Sequence, residues 1–184
     1  ALLLDWAADP EGAQMAVDYI ASYVFEVTTT DGARRRFGYD PALLETTVTD
    51  VVAEGQESSI AYRFDTAARC SEVASAILGT TQNAYDGANN LTSHTDADGH
   101  TVTMTYGSLG DLASATDPTG ATVSFDYDPS FHLWVRVTDQ GGNVRSAQRD
   151  GTGNLTLEVD PLGHQEAWSY SAQGLATSYT DQRG

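Results

Sequence analysis

A four-residue tract recurs along the second half of the chain, and each copy begins with Asp and ends three residues later with Gly. The copies run from Asp96 to Gly99, Asp117 to Gly120, Asp139 to Gly142, Asp160 to Gly163 and Asp181 to Gly184. Their leading aspartates are separated by 21, 22, 21 and 21 residues. Self-similarity at a fixed period of this length is the signature of a repeat array.

Each tract has the composition of a type I turn. Asp at the first position accepts backbone hydrogen bonds, Pro118 and Pro161 preset φ at the second, and Gly at the fourth tolerates positive φ. A second turn signature follows about ten residues later in each period, as at Asp128-Pro129 and Asp150-Gly151. Two turns per period leave room for two strands, so the sequence predicts a meander of hairpins.

The stretches between the turns alternate in polarity, as strands do. After Gly99, the residues Val102, Met104 and Tyr106 alternate with threonines. The return strands are predicted to begin at the leucines that follow the second turns: Leu91, Leu112, Leu133, Leu155 and Leu175. The third of these strands carries one extra residue, which we place as a β-bulge between Leu133 and Asp139.

The same register makes a testable statement about charge. Equivalent strands of successive periods lie two strands apart, which places Arg145 and Arg149 on the same face as Glu166. We therefore expect Glu166 to contact one of the two arginines across Leu157 and Val159 of the intervening strand.

The array extends upstream in a weaker form. Phe64-Asp65 and Tyr39-Asp40 mark two worn repeats in residues 39–84. Residues 1–38 are predicted to be β-rich, with alternation from Val17 to Val27 and a hairpin turn at Asp31-Gly32. Asp9-Pro10-Glu11 offers an alternative, a short helix that would place Ala13, Ala16, Val17 and Ile20 on one side. The predicted domains are therefore residues 1–38, 39–84 and 85–184.

Tyr-Asp followed by Leu and by a Thr-Asp-x-x-Gly turn resembles the YD repeat of Rhs proteins, toxin-complex components and teneurins. Tyr85-Asp86, Leu91, Thr95-Asp96 and Gly99 carry it in full, and the resemblance is clear over residues 85–184. It implies an all-β antiparallel meander of about 21-residue hairpins, a segment of a sheet that spirals into a hollow shell. In Rhs and toxin-complex proteins such a shell encloses a C-terminal toxin domain before delivery into a target cell.

The chain departs from the pattern of this family in three places. Arg149 replaces the repeat's Tyr and Ser171 replaces its Asp, so those repeats are expected to pack differently. Self-cleaving Rhs cores end in an Asp-Pro-x-Gly-Leu signature, whereas His164 follows Gly163 here. The resemblance therefore implies that the cleavage site and the toxin lie outside this segment.

Charge and hydropathy exclude several classes of protein. The net charge is −17 and the isoelectric point is near 4.2, which argues against nucleic-acid binding because phosphates are bound by basic groups. The run Arg34-Arg35-Arg36 is the exception, and we expect it to form an exposed hairpin strand. No apolar run approaches the roughly 20 residues of a membrane span, and the first residues do not resemble a signal peptide. The resemblance implies a secreted or cell-surface protein, which a contractile secretion machine can export without a signal.

The residues with reactive side chains do not form a recognisable site. Asp96 and Asp98 resemble part of a calcium loop, but the later oxygen ligands are missing and turn capping explains Asp96 better. His100 and His164 are six strands apart, roughly 29 Å in a meander, and His94 and His132 are isolated in sequence. All four histidines are therefore predicted to face solvent, and the single cysteine, Cys70, to be a buried structural thiol. We predict no catalytic, metal-binding or cofactor-binding residues.

Two functions remain after these exclusions, and neither is enzymatic. The first is a structural segment of a shell, whose partners are flanking repeats or a C-terminal toxin or effector domain. The alternative is an extracellular adhesive or filament-forming module that binds other subunits through its sheet edges, or glycans through aromatic side chains. The candidate glycan platforms are Trp134, Trp168, Tyr170 and Tyr179. For these aromatics, packing between neighbouring strands is the favoured role.

Overall fold

The structure is a computed structural model that describes residues 6–8, 14–21, 24–29, 32–53 and 56–181. All regular secondary structure in these residues is β-strand, as the sequence predicts. The strands are β1 (Trp6–Ala8), β2 (Gln14–Ala21), β3 (Val24–Thr29), β4 (Arg34–Asp40), β5 (Glu45–Ala53), β6 (Gln56–Phe64), β7 (Cys70–Ser75), β8 (Gly79–Tyr85), β9 (Leu91–Thr95), β10 (Thr101–Tyr106), β11 (Leu112–Thr116), β12 (Thr122–Tyr127), β13 (Trp134–Thr138), β14 (Val144–Arg149), β15 (Leu155–Val159), β16 (Gln165–Tyr170) and β17 (Ala176–Thr180).

The chain divides into two compact units, which are described separately. Unit 1 contains residues 1–84 and 94–100, and unit 2 contains residues 85–93 and 101–184. Within unit 1, each strand from β1 to β7 pairs antiparallel with the next. Within unit 2, each strand from β10 to β16 does the same. The predicted antiparallel meander is confirmed.

A bulge recurs where each hairpin of unit 2 approaches its second turn. Thr105 pairs with Ser114 but Tyr106 pairs with Leu112, so Ala113 is an extra residue on the return strand. The same shift occurs opposite Asp126/Tyr127, Gln148/Arg149 and Ser169/Tyr170. In unit 1 it occurs opposite Arg63/Phe64, within one of the worn repeats. The bulge belongs to the repeat and increases the local twist of the sheet.

The predicted β-bulge between Leu133 and Asp139 is present, at Val135, but it is the same bulge that recurs in the other hairpins of unit 2. The one residue by which the third period exceeds the others lies in the turn. The hydrogen bond from the backbone N of His132 to the O of Asp128 closes a wider turn than in other periods. His132 takes a φ of 54° to complete it. Strand β13 therefore begins at Trp134 and not at Leu133, and β17 begins at Ala176 and not at Leu175.

Residues 14–21 form strand β2, so the helical alternative is wrong for Ala16, Val17 and Ile20. The remaining part of that alternative, Asp9 to Ala13, lies outside the described residues. The expected alternation continues in the hairpin of β2 and β3, where Val17 pairs with Val27. The three domain boundaries given above stay a prediction.

Each unit is a single layer of strands. Within each unit, the strand contacts are between neighbours in sequence, so side chains are covered mainly by residues on adjacent strands. Among the residues whose exposure is described, only Ala147 is buried, at 6%. The apolar side chains of the sheet are therefore half-buried, and the packed interior of an ordinary two-layer domain is missing from the described residues.

Candidate functional surface

The two faces of unit 2 differ in chemistry. Directly paired residues share a face, so the register defines an aromatic face and an opposite hydroxyl face. The aromatic face contains Met104, Tyr106, Val123, Phe125, Tyr127, Val137, Arg145, Ala147, Glu158, Glu166, Trp168 and Tyr179. On the hydroxyl face, Thr105 and Ser114 hydrogen-bond across the strands at 2.7 Å, and Thr116 and Thr122 do so at 2.8 Å.

The predicted turn residues form one geometry at successive periods. The backbone N–H of the glycine donates to the carbonyl of the aspartate three residues before it, and the glycine takes positive φ. These pairs are Gly99 with Asp96 (3.1 Å, φ 86°), Gly120 with Asp117 (3.0 Å, φ 90°), Gly142 with Asp139 (2.9 Å, φ 79°) and Gly163 with Asp160 (3.0 Å, φ 86°). This is a type I turn followed by a residue in the left-handed region. Of the fifth pair, Asp181 is described, and Gly184 lies outside the described residues.

The aspartate side chain completes each turn by accepting two further backbone N–H groups. Asp117 Oδ1 accepts from the N–H of Thr119 at 2.8 Å and of Ala121 at 3.0 Å. Asp65, in a worn repeat, does the same with Ala67 and Arg69, at 2.9 Å and 3.0 Å. An apolar residue at this position would leave these donors to solvent, which explains the recurrence of Asp in the sequence.

These hydrogen bonds favour the ionised carboxylates. The Thr119 hydroxyl, followed by the backbone N–H of Ala121, lowers the pKa of Asp117 below its ordinary value. The side chain of Asn143 lowers the pKa of Asp139 in the same way, and that of His164 lowers the pKa of Asp160. The cause is common to all three, because only the ionised carboxylate accepts every one of the bonds offered to it.

The tyrosine that precedes the second turn also contributes a polar contact. The hydroxyl of Tyr106 donates to the backbone carbonyl of Leu91 at 2.9 Å. The Tyr106 side chain therefore reaches from β10 to the first residue of β9, while its ring stays on the aromatic face. At the equivalent position, Arg149 donates from a guanidinium NH to the carbonyl of Gly153 at 3.2 Å. Arg149 thus makes a local contact with its own turn, in agreement with the expected difference in packing.

The register prediction for the charged residues is correct in its faces but wrong in the partner. Arg145 and Glu166 do lie on the same face, yet Arg145 forms its ion pair with Glu158, at 3.2 Å. The bulge at Thr156 is the reason, because it reverses the alternation within β15. Leu157 and Val159 therefore point to the hydroxyl face. Glu158 lies on the aromatic face of β15, the strand between that of Arg145 and that of Glu166.

Three of the four histidines contact carboxylates. Nδ1 of His100 lies 3.2 Å from Asp96, that of His132 lies 2.9 Å from Asp111, and that of His164 lies 2.8 Å from Asp160. These three side chains are about half or more exposed, as expected. His94 differs from the prediction because it is half-buried and its Nδ1 lies 2.8 Å from Oδ1 of Asn83.

The structure brings together the ligand atoms of Asp96, Asp98 and His100, which all lie within 4.8 Å of one another. This is the calcium-like tract of the sequence. Asp96 already uses Oδ1 for the N–H groups of Asp98 and His100, at 2.9 Å each, and Oδ2 for the His100 ring. The turn itself therefore accounts for the arrangement of these groups.

The arginines of the basic run on β4 form ion pairs with carboxylates on nearby strands. Arg35 pairs with Asp50, whereas Arg36 bridges Glu26 at 2.7 Å and Glu57 at 2.8 Å. Hydrogen bonding from Arg35 lowers the pKa of Asp50. Arg63 bridges Glu45 and Glu72 in the same manner on the next strands. Arg35, Arg36 and Arg63 therefore all form ion pairs with carboxylates of unit 1.

Cys70 is less buried than predicted. It is half-buried at the start of β7, and its Sγ lies 3.6 Å from the carbonyl of Glu72. Cys70 pairs with Phe64, next to the recurring bulge at Ser71.

One family model matches part of the chain, and several solved structures share its fold. The family model described as RHS Repeat matches residues 85–122. No curated protein matches the chain. Among solved structures, the crystal structure of TcdB2-TccC3-Cdc42 matches with a TM-score of 0.56 and 11% identity, over 96% of this chain and 12% of that one. TcdB2-TccC3 matches with a TM-score of 0.55 at the same identity and coverage, as does TcdB2-TccC3 without its hypervariable C-terminal region. This chain thus spans 12% of the length of the chains that share its fold.

Proposed function

We propose that this chain, of which residues 85–122 match the RHS Repeat model, forms part of the wall of a β-sheet shell that carries a C-terminal toxin or effector. The wall segment itself has a structural role and performs no catalysis. Its partners are the flanking repeats of the same protein and the enclosed cargo. The complete protein acts outside the producing cell, either secreted or at the cell surface.

The observation that carries this proposal is the extent of the shared fold. The match to TcdB2-TccC3-Cdc42 has a TM-score of 0.56 and covers 96% of this chain, so the likeness extends well beyond one hairpin. The matched chains are named as complexes of TcdB2 with TccC3. The absence of a packed second layer in the described residues agrees with a wall, since a wall has one surface towards its contents and one towards solvent.

The turn network supports a structural role for the recurring aspartates and glycines. Asp117 and Asp139 each accept two backbone N–H groups of their own turn through Oδ1. The pKa of each carboxyl is lowered, which makes the carboxylate a weaker general base. The leading aspartates of these turns recur every 21 or 22 residues. No helix long and apolar enough to cross a membrane occurs in the described part of the chain.

Limited proteolysis of the natural full-length protein tests this function. A shell predicts that the segment following the repeats resists trypsin in the intact protein, whereas the same segment expressed alone is degraded. Cutting the wall first, at a protease site inserted in the exposed turn at Gly151, should remove the protection. Equal digestion of the segment in the intact protein and alone would contradict the shell. Concentration-dependent fibres in sedimentation would instead favour the filament-forming alternative.

A further inference from the structure

Two carboxylates face each other on the aromatic face of unit 2. Glu158 on β15 pairs directly with Glu166 on β16. Both are half-buried. Like charges directly opposite each other on neighbouring strands are destabilising. Such an arrangement is a local conflict between sequence and fold, of the kind that real proteins retain chiefly at functional sites.

The described cations nearest to this pair are bonded to carboxylates other than that of Glu166. Arg145 approaches Glu158 from the other side at 3.2 Å, and His164 lies against Asp160 at 2.8 Å. These residues and Glu166 line one open depression in the surface. Within the described part of the chain, the Glu166 side chain takes part in no ion pair.

Unit 1 shows how this chain neutralises carboxylates elsewhere. Arg63 lies on the strand between Glu45 and Glu72 and pairs with both. Arg36 likewise bridges Glu26 and Glu57. In both cases one guanidinium serves two carboxylates. At Glu158 and Glu166 the two carboxylates are adjacent, and the arginine lies to one side, where it pairs with Glu158. Within the described residues, no guanidinium bridges Glu158 and Glu166 in the manner of Arg36 and Arg63.

An aromatic pair lies next to the unbalanced carboxylate. Trp168 follows Glu166 by two residues on the same face, a separation of roughly 7 Å along a strand. Its ring lies 5.4 Å from that of Tyr179, with the planes tilted by 39°, and Tyr179 is 55% exposed. A cation held at Glu166 can therefore lie over or beside an aromatic ring, where the ring quadrupole attracts it.

We propose that Glu158, Glu166, Trp168 and Tyr179, here called the Glu166 patch, bind an arginine side chain presented by an extended basic polypeptide segment. The carboxylate of Glu166 provides the counter-charge, and the Trp168 and Tyr179 rings provide the stacking surface. Arginine fits better than lysine, because a planar guanidinium pairs with a carboxylate in two-point geometry and stacks on aromatic faces. The net charge of −17 attracts such a segment from a distance. This inference concerns the surface of the chain and does not depend on the shell.

Fluorescence anisotropy with a labelled nine-residue peptide of alternating Ser and Arg tests the patch at low ionic strength. The comparison peptide replaces each Arg with citrulline, which keeps the shape and removes the charge. The two protein variants are Glu166→Gln and, as the control, Glu72→Gln, which makes the same change in net charge beside Arg63. We expect Glu166→Gln to weaken binding of the Arg peptide about fivefold, the size of one ion pair with a stacked guanidinium. Glu72→Gln should change binding by less than about twofold, the effect of one distant surface charge.

A second measurement separates binding from structure. Removing one of two opposed like charges should leave the melting temperature of Glu166→Gln equal to that of the wild type or higher. Trp168→Leu should also weaken binding of the Arg peptide, by loss of the stacking surface. Equal affinity of the Glu166→Gln and Glu72→Gln variants would overturn the proposal, as would equal binding of the citrulline peptide. Saturable binding of Mg²⁺ or Ca²⁺ that is lost in Glu166→Gln, without any difference between the peptides, would overturn it in favour of a metal ion.

Discussion

Gly163 and Gly151 differ in backbone conformation while both have room for a larger side chain. Gly163 has a φ of 86°, whereas Gly151 is outside the positive-φ region, and a Cβ added at either would meet nothing within 4 Å. Replacing each glycine by alanine therefore tests conformation alone. Any difference between the two variants cannot come from a clash with neighbouring atoms.

The expected magnitudes have opposite signs. Left-handed backbone costs an L-residue roughly 1–2 kcal/mol, whereas replacing glycine by alanine stabilises by about 0.4–1 kcal/mol through the unfolded chain. Gly163→Ala should thus lose roughly 0.5–1 kcal/mol in the free energy of unfolding, and Gly151→Ala should gain about 0.4–1 kcal/mol. The two variants should differ by about 1–2 kcal/mol, since the gain through the unfolded chain is common to both.

Thermal unfolding followed by circular dichroism in the β region measures this difference. For a chain of this size, 1 kcal/mol corresponds to about 2–4 °C, so the midpoints should differ by roughly 2–8 °C with Gly163→Ala the lower. Gly120→Ala, at a φ of 90° two periods earlier, should behave as Gly163→Ala does. Equal shifts for Gly163→Ala and Gly151→Ala would refute the assignment of the glycine to the turn's left-handed position.

Three further predictions follow from the contacts. Because the pKa of Asp117 is lowered, its stabilising contribution is complete above about pH 4, the unfolded value, and is lost as the pH falls through the folded pKa. The melting temperature of Asp117→Asn should therefore fall less than that of the wild type between pH 5 and pH 2.5, roughly the range of Asp titration. Parallel curves of melting temperature against pH for the two proteins would contradict this. A double-mutant cycle of Arg145→Met with Glu158→Gln in urea should give a coupling of about 0–1 kcal/mol, because the pair is partly exposed; a coupling above about 2 kcal/mol, the range of buried pairs, would show a drier environment. Gly79→Ala should destabilise more than Gly163→Ala, because the added Cβ would lie 2.7 Å from the Cβ of Ala97 and Gly79 also has a φ of 81°. An equal melting temperature for the two variants would show that Ala97 moves away from this position in solution.

The turns and the faces could be predicted from the sequence because their chemistry is local. Asp117 and Gly120 mark a turn whatever the strands around them do, since a carboxylate and a glycine at these fixed offsets favour it. The common face of Arg145 and Glu166 followed from counting residues between two such turns. Both inferences needed only the backbone period of two and the turn type.

The partner of Arg145 could not be predicted because it depends on a bulge without a sequence signature. Thr156 is an ordinary strand residue, yet the extra residue there changes which side chains of β15 share the face of Arg145. The extra residue of the third period was likewise assignable to strand or turn, and the choice of His132 at positive φ depends on a residue type that only occasionally adopts it. The one signal that could have located Glu158 was the constant spacing between the second turn and the following strand across all periods.

Contacts confined to neighbouring strands make each unit energetically one-dimensional. The stability of such an array is approximately the sum of the stabilities of its hairpins and of the interfaces between adjacent ones. Folding can then begin at any hairpin and spread along the chain, because the contacts between strands join neighbours in sequence and the loops closed in forming them are short. Duplication or loss of one period changes the length of the sheet and leaves the remaining hairpins with the neighbours they require. Genes for such chains can therefore grow or shrink by whole periods, which gives evolution a direct way to adjust the dimensions of the sheet.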